Sequence, residues 1–481
     1  MTTMDRRAFL ARGAAVAGST IAASEALTRL GNRMALADMR ADGRSGYGPP
    51  VPMRDQHGRY VLALPAGFSY VTFGDIGSPM SDGRPTPLAL DGMAAFRGPR
   101  GTVRLIRNHE DRNPAGAGSV PTGDGAYDRL AGGGTTTLDY DPRRRRLVRS
   151  FVSLDGTTVN CAGGFGLGER SWLSGEETIA GRNRGFEQPH GYLFEVPLHR
   201  GPEDSPHSGP LTAMGRFAHE AAATDERTGI VYETEDPGSG RGAGFYRFLP
   251  RDPRRLSAGG RLQILGIRGE PQYDAREGQE PGRRLPVTWI DVPDPDPEYD
   301  NDDDPRGTFQ QGWRLGAAKF NRLEGCWFAG NSIFFVSTSG GDVKSGDVNP
   351  DGYREGYGQV WEYRTRSRQL VLHYESPGGE VMDSPDNLTV TPRGGLMVCE
   401  DDASDADPPD PNRVIGISRR GEAFSFAENI FSGTELAGVC FSPDGETMFV
   451  NLYGDSTGTA AEHAGEGMTC AITGPWRKGP L

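Results

Sequence analysis

Six short apolar runs in this chain each stop at a polar or acidic cluster, and that recurrence limits the fold more than any other feature. The runs are "VRLIRNHED" to Asp111, "RSWLSGEET" to Thr178, "GIVYETED" to Asp236, "NSIFFVSTSGGD" to Asp342, "GLMVCEDD" to Asp402 and "ETMFVNLYGD" to Asp455. Four follow a partner run and a turn: Asp225 to Gly229, Ala329 to Asn331, Pro392 to Gly395 and Ser442 to Gly445. Unequal spacing argues against a solenoid, whereas radial repetition of hairpins protects strand edges. The expected fold is all-β, a six-bladed β-propeller with large inserted loops; a β-sandwich followed by a second domain is the alternative. The 70 glycines and 36 prolines, with almost no amphipathic helical period, fit many strands joined by turns.

The first residues, "MDRRAFLARGAAVAGSTIAASEAL", carry a twin arginine (Arg6, Arg7) and then a weakly apolar stretch too short to span a bilayer. "MALAD" supplies an A-x-A site before Asp38. Residues 1–37 are therefore expected to be a Tat signal peptide and 38–481 a single domain, placing the mature protein in the periplasm or outside the cell. The Tat export machinery is then a partner, and no later segment suits membrane insertion. The formal charge of −13 becomes more negative without the leader, which has five arginines against two acids. So acidic a chain is not expected to hold nucleic acid, and its acids are suited to cations. The run between Asp291 and Asp304, with eight acids and three prolines, is expected to be a solvated insertion.

In an antiparallel hairpin the first residue of one strand and the last of the next share an end. Glu220 is expected to face Glu235, Asp386 to face Glu400, Glu324 to face Ser337 or Thr338, and Glu435 to face Asn451. Every hairpin then delivers oxygen ligands to one mouth. Crowded carboxylates raise one another's pKa unless cations neutralise them, and calcium takes six to eight oxygens, so a multi-metal cluster is the economical reading.

Longer stretches carry a resemblance. "LPAGFSYVTFGDIGSPMSDGRPTP", "DGMAAF", "RLIRNHE", "NCAGG…WLSGEET", "GRFAHEAAATDERTGIVYETED", "GFYRFLP", "SPDNLTVTPRGGLMVCEDD" and "GVCFSPDGETMFVN" resemble, in order, the PhoX alkaline phosphatases. The resemblance covers nearly all of the mature chain. It implies Tat export, a six-bladed propeller, and hydrolysis of phosphate esters by a mixed iron and calcium cluster.

Of five cysteines, Cys326, Cys399 and Cys440 sit in apolar strand runs and read as core thiols, with Cys470 unassigned. Calcium has no use for sulfur while iron binds thiolate, so Cys161 in an acidic site points to a transition metal. By resemblance Cys161 is an iron ligand, and Glu110, Glu176, Glu220, Glu235, Glu324, Asp386 and Glu400 are the carboxylate ligands. Asn108, Glu177, Asp236 and Asn387 are close seconds. Each of His109 and His219 precedes a glutamate, and alternation lets only one of the two point inward; the glutamates are preferred. Arg322 matches the family's R-x-E arginine and is the expected phosphate fork, catalytic together with Glu324. Here "RLEG" stands where the family commonly has R-P-E-W, a departure in the pocket wall.

The activity implied is metal-assisted hydrolysis of small phosphate monoesters. No G-x-S-x-G elbow, P-loop or dinucleotide fingerprint stands in the required context. Two other classes compete: a calcium-dependent lactonase or organophosphate hydrolase, which would not need Cys161, and a non-catalytic extracellular propeller whose acids cap turns.

Overall fold

The computed structural model describes residues 46–299, 301, 303–341, 343–349, 351–401 and 411–481. The leader expected at residues 1–37 lies outside them, as do Asp300 and Asp302 of the acidic run. Among the described residues the one α-helix is Thr308–Arg314, and no helix is long and apolar enough to cross a membrane.

The chain is all-β and propeller-like. One sheet has four strands, Leu90–Arg97, Val103–His109, Gly133–Asp141 and Arg146–Thr157. Another has three, Asn160–Phe165, Ser171–Glu176 and Leu193–Pro197. A third runs from Pro385–Val390 through Leu396–Glu400, Arg413–Ile417 and Ala423–Asn429 into the N-terminal hairpin of Tyr60–Leu64 and Val51–Arg54. The fourth, Leu436–Phe441, Thr447–Leu452 and Met468–Thr473, takes Ser69–Phe73 as its outer strand. An early strand thus closes the sheet of the last three, and Tyr47 donates to the Trp476 carbonyl at 2.8 Å.

Besides the two-stranded hairpin of Val343–Val348 and Arg354–Gly356, one further sheet remains, and it departs from six separate blades. It has nine strands, because Arg284–Asp291 pairs with Gly260–Ile267 on one side and with Gln369–Glu375 on the other. One end of this sheet is His219–Thr224 and the other is Leu323–Ala329. Apolar side chains pack into clusters: Met397, Phe424, Leu436, Met448 and Cys470, from two adjacent sheets, form part of one, and Tyr232, Phe245, Phe335 and Trp361, all from the nine-stranded sheet, part of another.

The strands that lead each hairpin pack side by side in chain order. Leu90–Arg97 touches Asn160–Phe165, which touches His219–Thr224, then Leu323–Ala329, Pro385–Val390 and Leu436–Phe441, and the last touches the first. Each is bulged at the same place. The ladder skips between Leu90 and Met93, Asn160 and Gly163, His219 and Ala222, Leu323 and Cys326, Pro385 and Leu388, and Ala437 and Cys440. A bulge sets two residues against one and re-aims the first side chain. At two of the bulges a glycine lets the backbone approach the next strand: a Cβ on Gly92 would lie 2.4 Å from Ala162 Cα, and one on Gly325 would lie 2.7 Å from the Leu388 nitrogen.

Candidate metal centre

The first residues of the six bulges are Asp91, Cys161, Glu220, Glu324, Asp386 and Gly438. Five can bind metal, and all five are buried. Their ligand atoms fall into three groups, each within 4.8 Å: Asp91, Glu110 and Cys161; Cys161, Glu177 and Glu220; and Glu220, Glu324 and Asp386. Shared Cys161 and Glu220 link the groups into one chain around the mouth. Neighbouring asparagines fix the bulges. Asn108 donates to the carbonyls of Cys161 and Ala162 at 3.0 and 2.7 Å, and Asn451 donates to the Asp91 carbonyl at 2.6 Å. Asn387 accepts from the Gly438 N–H and donates to Asp386 Oδ1.

A second ring comes from the residue just after each partner strand's last paired position. The N–H groups of Glu110, Glu177, Asp236, Thr338, Asp401 and Tyr453 donate to the carbonyls of Ala89, Val159, Ala218, Arg322, Ser384 and Glu435, at 2.8 to 3.2 Å. Five of the acceptors lie two residues ahead of a bulge residue, and Glu435 lies three ahead of Gly438. Four of them, Ala89, Val159, Arg322 and Ser384, hold left-handed backbone at φ of 45 to 50°. Such conformations cost about 1–3 kcal/mol each and collect at functional sites.

Five of the expected site residues besides Arg322 come together here: Glu110, Cys161, Glu220, Glu324 and Asp386. Glu176, Glu235 and Glu400 do not, and their oxygens are engaged elsewhere. Glu176 accepts from the Thr158, Gly191 and Tyr192 N–H groups and pairs with His190 Nδ1 at 2.6 Å. Glu235 accepts from the Gly244 N–H and the Tyr246 hydroxyl. Glu400 is bound by Arg413 at 2.7 Å and by the Asp383 N–H. These three are ladder residues, opposite Asn160, His219 and Pro385. The expected pairing of Glu220 with Glu235 and Asp386 with Glu400 is therefore displaced by one residue. Leu323 pairs with Ser337, and Glu435 lies beside Tyr453 rather than Asn451. The residues after the three glutamates, Glu177, Asp236 and Asp401, belong to the second ring.

His109 and His219 turn away from the mouth. His109 bonds the Leu88 carbonyl and Thr136, while His219 stacks on Phe217 and bonds the Gly215 carbonyl. Asp91 is the residue that motif reading missed. Aligning the six bulges would have found it, since "DG", "CA", "EA", "EG", "DN" and "GV" occupy equivalent places.

Arg322 spans both rings, with Nε 2.9 Å from Asp236 Oδ2 and Nη2 3.0 Å from Glu324 Oε1. Across the mouth Arg112 pairs with Glu110 and Glu177. The mouth encloses about 300 Å³. Burial, with repulsion from surrounding acids, pushes Asp91, Glu220, Glu324, Asp386 and Glu435 well above the ordinary carboxylate range. Burial also raises Glu177 and the Cys161 thiol.

The donor set fits cations. Both oxygens of Glu220 and one of Asp91 are buried without a hydrogen-bond partner, a costly state that a cation relieves. Carboxylates suit a hard ion, and one thiolate among them suits a transition metal. The other four cysteines lie in the core, Cys399 and Cys470 in one cluster, Cys326 and Cys440 in two more.

An all-β, propeller-like chain with linked carboxylate and thiol groups at one mouth is built to hold metal ions there. Residues 45–455 match the alkaline phosphatase PhoX family. The chain belongs to that family, and its class is metal-dependent phosphatase. Among solved structures, Pseudomonas fluorescens PhoX in complex with vanadate, a transition-state analogue, is similar over 88% of this chain and 97% of its own, with a TM-score of 0.62 and 18% identity. A gluconolactonase from Xanthomonas campestris covers 81% of this chain and 96% of its own, with a TM-score of 0.36 and 10% identity. No curated protein matches the sequence at a significant level.

Proposed function

We propose that this protein is an exported phosphomonoesterase working through a mixed calcium and iron cluster at the mouth. The observation that carries the reading is the chain of three ligand groups joined by Cys161 and Glu220. The proposed ligands are Asp91, Glu110, Cys161, Glu177, Glu220, Glu324 and Asp386. Cys161 favours iron at its two groups, and the all-carboxylate group of Glu220, Glu324 and Asp386 suits calcium. Asp236 and Asp401 are further oxygen donors on the same rim.

Bound cations supply Lewis acidity toward phosphoryl oxygens and lower the pKa of water for in-line attack. Arg322, kept in place by Asp236 and Glu324, offers its remaining N–H groups to the phosphoryl oxygens and offsets charge that grows in the transition state. Its rigid backing favours catalysis, because a donor already oriented does not reorganise during the reaction.

The six-bladed reading belongs to the same proposal. It treats the nine-stranded sheet as two four-stranded blades joined by Arg284–Asp291, and the sixfold recurrence of bulge and N–H contact supports it. Residues 1–37 are proposed as the Tat leader, which makes 38–481 the mature domain and puts it in the periplasm or outside the cell. Elemental analysis of the purified protein, with a chromogenic phosphomonoester assay, tests the whole. Iron and calcium with turnover support it; calcium without iron, and lactone rather than ester hydrolysis, sink it.

A further inference from the structure

Five of the six hairpins set a carboxylate or the Cys161 thiol at a ring position. The last, Leu436–Phe441 with Thr447–Leu452, sets Gly438 in the bulge ring and Tyr453 in the second. It reaches instead to the first hairpin and touches both of that hairpin's ligands. Asn451 donates to the Asp91 carbonyl at 2.6 Å, and the hydroxyl of buried Tyr453 donates to Glu110 Oε2. Arg112 Nη2 donates to Oε1, the other oxygen of the same carboxylate.

Glu110 is thus the opposite of Glu220 within one chain of ligand groups. Both Glu220 oxygens are buried without a hydrogen-bond partner, so a cation has to fix that carboxylate. Glu110 has a donor on each oxygen and is fixed before any cation arrives. An ionised carboxylate has about four lone-pair sites, and two donors leave about two of them for a metal. The donors are themselves anchored. The Tyr453 N–H donates to the Glu435 carbonyl at 3.2 Å, its carbonyl accepts from the Leu90 N–H at 3.0 Å, and its side chain packs in a cluster with Ile76, Leu88 and Ala460. The Arg112 N–H donates to the Ser456 carbonyl at 2.8 Å, in the segment that follows Tyr453.

We propose that Tyr453 and Arg112 are positioning residues that clamp Glu110 between them and so preset the group of Asp91, Glu110 and Cys161 for its cation. The inference rests on the metal-cluster reading and deepens it. A ligand already held by its partners loses less freedom when a metal binds, and partners of this kind are worth about 10- to 100-fold in metal affinity. A phenol suits the task because it is a neutral donor: it orients Glu110 without cancelling the charge that attracts the cation. Arg112 offsets part of that charge, but its Nη2 is shared with Glu177 of the next group, so it also ties together the two groups that meet at Cys161.

The test titrates the chelator-stripped full chain with cobalt(II) alone, whose thiolate absorption reports binding beside Cys161. Tyr453→Phe removes one oxygen and keeps the ring; it should weaken cobalt binding by about 10- to 100-fold. Calcium affinity, read by calorimetry, should change much less, because the hydroxyl bonds Glu110 and no member of the group of Glu220, Glu324 and Asp386. In Glu110→Ala the same tyrosine substitution should have no further effect, since Tyr453 acts through that carboxylate. Arg112→Gln, at a half-exposed position where folding is at little risk, should weaken cobalt binding as well; should Tyr453→Phe fail to fold, it decides the matter alone. Unchanged cobalt affinity, an equal loss for both metals, or a loss that persists without Glu110 overturns the proposal, as does the absence of a thiolate band in the unaltered protein. A chain without iron or ester turnover whose cobalt affinity still depends on Tyr453 keeps the clamp and removes the phosphatase reading. Iron and turnover, with cobalt affinity indifferent to Tyr453, do the reverse.

Discussion

The two rings around the mouth come from the same hairpins but are set by different backbone devices. Bulge residues leave the ladder because an extra residue forces them out, so their direction is fixed locally. Strand-end residues follow the last rung, where one step along the chain reverses the side chain. Glu176 and Glu177 show what this means. Both are glutamates, yet the first, on the ladder, is held by His190 and the second lines the mouth. Acid content at a strand end therefore marks a site without saying which acid serves it.

The largest effect should come from the bulge ring. Cys161→Ser should reduce bound iron, because an alkoxide forms far less readily than a thiolate. Phosphomonoester turnover should fall by more than the roughly 10- to 100-fold typical of losing a group that only supports a ligand. Unaltered iron and activity would return Cys161 to the core thiols and undo the contrast between the rings.

Arg322→Ala comes next. Arg322 bridges the rings through Asp236 and Glu324 without being a ligand. Turnover efficiency should fall by roughly ten- to a thousandfold, as when an oxyanion donor is lost, with metal content close to that of the unaltered protein. Loss of metal in step with activity would show that Arg322 instead holds the rings together.

Hairpin repetition, a mouth of converging acids and the special place of Cys161 were all readable from motif and turn chemistry. Parity at the strand ends was not. Of the expected ligands, Glu110 lies in the second ring, whereas Glu176, Glu235 and Glu400 lie on the ladder, because no sequence pattern marks the last rung. Asp91 is hidden for a related reason: no acidic cluster surrounds it, while the run that carries Glu110 ends in "NHED". The nine-stranded sheet was equally unreadable, since "RLPVTWID" can add to either neighbour.

Paired substitutions put that parity to the test. Glu177→Gln should lower metal content and activity, with no more thermal destabilisation than the lost metal accounts for. Glu176→Gln should do the opposite, leaving His190 and several N–H groups poorly matched in the interior, at a cost of about 3–5 kcal/mol. If both variants lose metal equally, the two glutamates are not divided as the geometry has them.

Metal removal should reverse the pH dependence of stability. The mouth carboxylates have folded pKa values raised by burial and mutual repulsion. Without cations the native state therefore binds more protons than the unfolded chain, and stability falls as pH rises above about 4, the unfolded carboxylate value. Chelated protein should melt lower than loaded protein at pH 8, and the gap should narrow toward pH 5. A constant gap would mean that the acids are neutralised within the protein itself.

The smallest effect concerns the support behind the second ring. His190 lies between Glu176 at 2.6 Å and Asp128 at 3.4 Å; burial opposes its charge, but the two carboxylates prevail and bring its pKa up to about 9. Its unfolded value is about 6.5, so this stabilisation is complete below that pH and is lost as pH rises through 9. Asp128 moves the other way, down to about 2, against its own burial and chiefly through His190. Its contribution is present above about 4 and lost as pH falls through 2. The group should therefore stabilise most between about pH 4 and 6.5. His190→Gln should lower the melting temperature by a few degrees at pH 6 and by less at pH 9.5, the His190 part being on the order of 3 kcal/mol. Activity at pH 8 should change less than in Glu177→Gln, because His190 reaches the mouth only through Glu176, the strand residue before Glu177. A melting difference that stays the same from pH 6 to 9.5 would show that the imidazole is neutral there, and that backbone N–H groups alone hold Glu176 in place.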